Sequence, residues 1–130
     1  MIVDSSALIA ILFKEPEGQL LDVAVVESAD CRMSAASFLE ASMVVLARRG
    51  QEGLRDLDLL IARLGIRLIA FTESQARVAR MAFERFGKGR HPAQLNFGDC
   101  IAYALAKDTG EELLFKGTDF ALTDIAVAPY

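Results

Sequence analysis

Met1-Ile-Val-Asp-Ser-Ser-Ala-Leu-Ile-Ala-Ile-Leu12 opens the chain, and two periodicities meet inside it. Met1 to Val3 is an apolar run too short to alternate, so it reads as a buried strand. From Ser5 to Phe13 the apolar spacing becomes helical, with Ala7, Leu8, Ile11 and Leu12 on one side. Asp4 stands between the two, and Asp4 or Ser5 suits the N-cap of the helix. A buried strand that feeds a helix at once is the repeating unit of a parallel α/β sheet.

The same alternation continues outward. Lys14 to Gly18 breaks the chain at Pro16, and Gln19 to Glu27 is helical. Cys31 to Ser34 fits a strand. Ser34 then caps a strong helix to Arg49, which Gly50 closes as the residue after its end. Glu52 to Leu64 repeats Leu57, Leu60, Ile61 and Leu64 at helical spacing, and Gly65 stops it. Ile66 to Phe71 is β-like. Thr72-Glu73-Ser74-Gln75 fits a capping box for a helix to about Phe86. Gly87 to Leu95 is a basic loop, and Asn96 caps a helix from Phe97 to Lys107. Glu112 to Lys116 and Ile125 to Ala128 are short strands around a turn at Gly117–Phe120. The pattern predicts one α/β domain, residues 1–130, built as a three-layer α/β/α sandwich on a mostly parallel sheet of about five strands.

Composition allows such a core: 53% of the 130 residues are hydrophobic, and the signature of disorder is missing. A net charge of −4 disfavours a simple nucleic-acid binder, although metal ions bound by carboxylates would supply positive charge locally. Cys31 and Cys100 form no CxxC or Cys/His pattern and read as buried thiols in a reducing cytosol. The N-terminal stretch lacks a basic region, and Asp4 interrupts its apolar run, so a signal peptide is not expected. No stretch approaches the roughly 18 apolar residues of a membrane helix.

Four acids occupy positions that call for a reason. Asp4 and Asp119 each follow a strand, where open parallel sheets bind ligands. Glu40 falls inside the apolar stripe Ala36, Leu39, Met43, Val44 and Ala47, where an unpaired carboxylate is costly. Asp99 lies in the first turn of an otherwise apolar helix. Each has a plain alternative, as an N-cap, a stripe edge or a partner of the helix dipole. Their coincidence at one sheet edge is the stronger argument. Gathered carboxylates repel one another unless cations neutralise them, and hard oxygen ligands select Mg²⁺ or Mn²⁺. The lone His91 cannot complete a zinc site. Such a site suits hydrolysis at phosphorus by an activated water. Ser6, Asn96 and Thr118 are candidates for hydrogen bonds to the ligating carboxylates. Lys88, Arg90 and His91 are candidate contacts for substrate phosphates. Glu15, Glu17, Asp22, Glu27, Asp56 and Glu84 read as solvated. Phe13, Phe71, Phe83, Phe86 and Phe97 read as core rather than as base-stacking platforms.

These pieces resemble the PIN-domain proteins of the VapC toxin type. MIVDSSALIAIL resembles their opening, with Asp4 and Ser6 in place. LNFGDCIAYALAK resembles the helix of their third acid, here Asp99. Lys116-Gly117-Thr118-Asp119-Phe120 resembles their last turn, and Glu40 falls where they place a second acid. The resemblance spans nearly the whole chain in order. It implies a PIN-like fold and an Mg²⁺-dependent endoribonuclease, with Mn²⁺ able to substitute, acting on tRNA or rRNA as the toxin of a type II pair. It also implies a cognate VapB-type antitoxin, a homodimer and a cytoplasmic location. A housekeeping RNA-processing nuclease and a non-catalytic RNA- or protein-binding module are the alternatives. A phosphatase of the haloacid-dehalogenase type would want a second Asp where Ser6 stands. A receiver module would want a phosphorylatable Asp at a middle strand, and none is there.

Overall fold

The computed structural model describes residues 1–130. Strand β1 (Ile2–Val3) lies at the centre, between β2 (Arg32–Ser34) and β4 (Leu113–Leu114). With β3 (Arg67–Ile69) the sheet order is β3-β2-β1-β4, every pairing parallel. Successive strand residues face opposite sides, so β1 and β4 each feed two cores. Val3 and Leu114 belong to one core; Ile2, Leu113 and Phe115 belong to the other.

The first core is covered by α1 (Ser5–Leu12), α2 (Gly18–Glu27) and α3 (Ala35–Leu64), through residues such as Leu8, Leu21, Val45 and Leu57. The second is covered by α4 (Glu73–Phe86) and α5 (Phe97–Thr109), through Ala82, Phe86 and the run Ala102–Ala106. The three-layer α/β/α expectation therefore holds. The sheet has four strands rather than about five. The stretch Ile125–Ala128 contributes one parallel bridge, Val127 to Leu113, held by Leu113 N–H to Ala126 O and Ala128 N–H to Leu113 O. Pro129, which has no N–H, follows it directly.

Gly50 does not simply close a helix. Regular backbone resumes straight after it, so Ala35–Leu64 is one element broken at Gly50, whose φ is 59° and ψ −152°. That conformation mirrors the β region and is accessible almost only to glycine. Space is not the constraint, since nothing lies within 4 Å of where a Cβ would stand. Gly50→Ala is therefore expected to lower stability by about 1–3 kcal/mol, read as a fall in the chemical-denaturation midpoint with an unchanged m-value.

The capping box at α4 is only half made. Thr72 Oγ1 accepts from Gln75 N–H at 3.2 Å, but the buried Gln75 side chain donates to Asp108 instead of turning back. Asn96 and Asp99 at α5 make the complete box. No helix is long and apolar enough to cross a membrane.

Candidate metal centre

Parallel strands put all their carboxyl ends on one edge, and α1 and α3 begin there directly after β1 and β2. Asp4 leaves β1 as the N-cap of α1. Its Oδ2 accepts from Ser6 N–H at 3.0 Å and from Ser6 Oγ at 2.6 Å. Its Oδ1 is buried and has no partner. The residue is 3% exposed, and burial pushes its carboxyl pKa up, partly against those hydrogen bonds. The Glu40 charge adds to the rise. An ordinary N-cap spends its oxygens on backbone N–H groups at a solvated helix end. A buried carboxylate oxygen left bare is costly, and a cation is the usual remedy.

Asp99 stands in the first turn of α5. Its Oδ2 accepts from Asn96 N–H at 2.9 Å, while Asn96 Oδ1 accepts from Asp99 N–H at 2.9 Å. That reciprocal cap fixes the side chain. Burial first, and then the charges of Asp4, Asp119 and Glu40, raise its pKa to about 6. The three other predicted acids are thus near enough to act on Asp99 through space. No three of them close on one point as a finished cage. Mutually repelling carboxylates have no reason to do so without a cation between them.

Glu40 reaches the cluster by a route the apolar stripe did not foretell. The face of α3 that packs on the core is Ser37, Ala41 and Val45; Leu39 and Met43 are 59% and 64% exposed. The stripe at Ala36, Leu39, Glu40, Met43 and Val44 lines an open apolar groove of about 470 Å³, closed on its far side by Phe71, Phe97 and Ile101. Periodicity marks an apolar face but not whether it meets core or solvent. The same correction applies to Phe71, Phe83 and Phe97, which are exposed, Phe97 by 82%. Phe86 is core.

Asp119 begins a short 3₁₀ turn, Asp119–Leu122, and is exposed. Phe120 anchors that turn, its ring packed against Phe115 with centroids 4.8 Å apart. Ser6 has the partners expected of it and one more: its Oγ accepts from Lys116 N–H at 3.0 Å, tying Asp4 to the strand end that leads to Asp119. Asn96 is the α5 cap. Thr118 makes no side-chain cap bond. The basic loop is ordered locally. His91 packs edge-on to Phe86 and its Nδ1 accepts from Ala93 N–H, while Lys88 and Arg90 have no acidic partner. Four of the six acids read as solvated are paired: Glu15 closely with the Lys116 ammonium, Glu17 at 3.7 Å from it, Asp22 with Arg63 and Asp56 with Arg49.

The residues suit a hard divalent ion. Asp4 offers a bare buried oxygen, Asp99 keeps Oδ1 beyond its cap bond, and Glu40 and Asp119 bring further carboxylates. Sequence reasoning missed Ser5, whose hydroxyl donates to Glu40 Oε1, and Gly98, on which the Glu40 carboxylate rests. A glycine in the first turn of an otherwise apolar, well-capped helix was the visible signal for the second.

Residues 1–126 match the model of the PIN domain. The chain is 51% identical over 126 residues to "Ribonuclease VapC" of Mycolicibacterium smegmatis, covering 97% of this chain and 98% of that one. Its fold resembles the crystal structure of Mycobacterium tuberculosis VapC20, described as a sarcin-ricin loop cleaving toxin. There the TM-score is 0.80 at 14% identity, over 98% of each chain. It also resembles a toxin–antitoxin complex from Klebsiella pneumoniae, with a TM-score of 0.72 at 19% identity over 99% and 97% of the two chains. The chain belongs to the PIN-domain family, among its VapC ribonucleases.

Proposed function

We propose that this chain is an Mg²⁺-dependent endoribonuclease and the toxin of a type II toxin–antitoxin pair, with Asp4, Glu40, Asp99 and Asp119 holding the ion. Mn²⁺ can substitute. The observation that carries the metal assignment is the bare, buried Asp4 Oδ1, with the Glu40 and Asp99 carboxylates close enough to act on it. When bound, the ion supplies Lewis acidity, which neutralises phosphodiester charge and makes a water a better nucleophile.

The chain's own groups do the rest. Asp4 is oriented by two bonds from Ser6, and Ser6 is itself fixed by the Lys116 amide. Asp99 is locked by its cap. Helices α1, α3 and α5 begin at this edge, and their positive ends favour both the carboxylates and an incoming phosphate. Raised proton affinity at Asp99 means that protons compete with the cation as pH falls toward 6. Lys88 and Arg90, without acidic partners, are free to contact RNA phosphates further along the strand.

The whole chain acts as one PIN domain in the cytoplasm. Its partners are a VapB-type antitoxin and a second copy of itself. Exposed apolar residues give both a place to bind: Leu39, Met43 and Phe97 around the groove beside Glu40, and Leu20, Val23 and Val26 along α2. A ribosomal RNA loop is a natural substrate to try, since VapC20 is described as cleaving one.

The test is cleavage of total RNA and tRNA by the purified chain in Mg²⁺, Mn²⁺ and EDTA. Cleavage in either metal and none in EDTA is the expected outcome. Cleavage that persists in EDTA would contradict metal dependence. A folded protein that binds RNA and cuts none of it in any metal would favour the binding-module reading.

A further inference from the structure

We propose that Ser5 and Gly98 together seat the Glu40 carboxylate, so that Ser5 is a positioning residue for the metal and Gly98 is the room that carboxylate needs. The inference rests on the reading that Glu40 helps to hold the ion.

Glu40 arrives from α3 on a long side chain with three rotatable bonds, a poor starting point for a ligand that must be in place before the ion binds. Two other elements close on it. From the start of α1, the buried Ser5 hydroxyl donates to Oε1. From the start of α5, Gly98 presents bare backbone. A Cβ there would overlap Oε2 and stand 2.6 Å from the carboxyl carbon and 2.7 Å from Oε1.

Gly98 is not glycine for conformational reasons. It lies inside α5 and is absent from the residues with positive φ. Any residue other than proline would make a better helix there. What the site gains is space for the Glu40 carboxylate. The two holders are chain neighbours of the other ligands: Ser5 follows Asp4, and Gly98 precedes Asp99. Seating Glu40 on them therefore sets three of the four acids relative to one another before any cation enters. Ser6 does the corresponding work for Asp4 and makes no hydrogen bond to Glu40.

A purely structural Ser5, tying α1 to α3, would behave differently. Its loss would lower the melting temperature in EDTA and leave metal affinity alone. Gly98→Ala separates the two roles further, because the group in the way is the far end of a flexible side chain and can swing aside. The experiment compares wild type, Ser5→Ala, Ser5→Thr and Gly98→Ala as full chains, measuring Mn²⁺ affinity by calorimetry and melting temperature in EDTA. Ser5→Ala is expected to weaken Mn²⁺ binding about tenfold, the scale of losing a hydrogen bond to a ligand, with its EDTA melting temperature near wild type. Ser5→Thr, which keeps the hydroxyl, should retain most of the affinity. Gly98→Ala should weaken Mn²⁺ binding at least as much while its EDTA melting temperature holds or rises. Wild-type affinity in both Ser5→Ala and Gly98→Ala would overturn the seat and leave the metal site standing. A wild-type protein that binds no Mn²⁺ would remove the carboxylate site itself, and the seat with it.

Discussion

Asp4→Asn should abolish RNA cleavage without harming the fold. The amide keeps the shape of the carboxylate and can still accept from Ser6 N–H, so the α1 cap survives. What disappears is the negative charge on the buried, unpartnered oxygen. If that charge exists to hold a cation, the rate should fall by at least on the order of 10²–10³, the scale of removing one group that stabilises charge in a closed site. The metal-free protein should meanwhile melt no lower than wild type, and higher if burial of the charge was costing stability. Cleavage assays and thermal melts in EDTA check the two halves separately. Undiminished cleavage from a folded Asp4→Asn protein would remove Asp4 from the site. A large loss of stability would reassign it to holding the fold.

Metal and pH should trade places in setting stability. Asp99 titrates near 6 in the folded chain, above the ordinary value of 3.8, because burial and the neighbouring acids disfavour its charge. Asp4 is shifted in the same direction. Between about pH 4 and 6 the folded protein therefore keeps a proton that the unfolded chain has released, and metal-free stability falls as pH rises through that window. Discounted for partial solvent access, the loss at Asp99 is roughly 1–2 kcal/mol. Asp30 and Asp124 are shifted down, by Arg67 and by Lys107 respectively. They act at lower pH, below about 4, and leave this window to the site. Mg²⁺ binds the ionised form. At a hundred times its Kd it should add about 2.7 kcal/mol at pH 7.5, roughly 10 °C for a chain of this size, and far less at pH 5. Melting curves at pH 5 and 7.5, with EDTA or Mg²⁺, give the four values. A metal-free protein more stable at pH 7.5 than at pH 5 would contradict the buried, crowded acids.

The architecture was legible because its signals are local. Three apolar residues, an acid and a helical stripe define β1, the Asp4 cap and α1 within one turn of chain, and Asn96-Phe97-Gly98-Asp99 carries its own capping box. Parallel topology then sends every strand's carboxyl end to one edge, which is why four acids far apart in sequence could be grouped before the fold was seen. What failed required knowledge of partners. The Leu39–Met43 stripe and Phe97 are as apolar as any core, yet they line an open groove, and nothing in their spacing separates the two environments. Gln75 matched a capping box but found Asp108, 33 residues away. Ser5 gives no hint that it meets Glu40, 35 residues on, because that contact exists only once α1 and α3 pack. Glu15 and Glu17 looked like any acids beside a proline until β4 brought Lys116 alongside.

The most direct test of the account is a crystal of this chain grown with Mn²⁺, with data collected for the anomalous signal of the metal. A peak is expected within ligand distance of Asp4 Oδ1, with Asp99 in its coordination and Glu40 and Asp119 turned toward it. Manganese found only at other carboxylates, with Asp4 Oδ1 still bare, would contradict it.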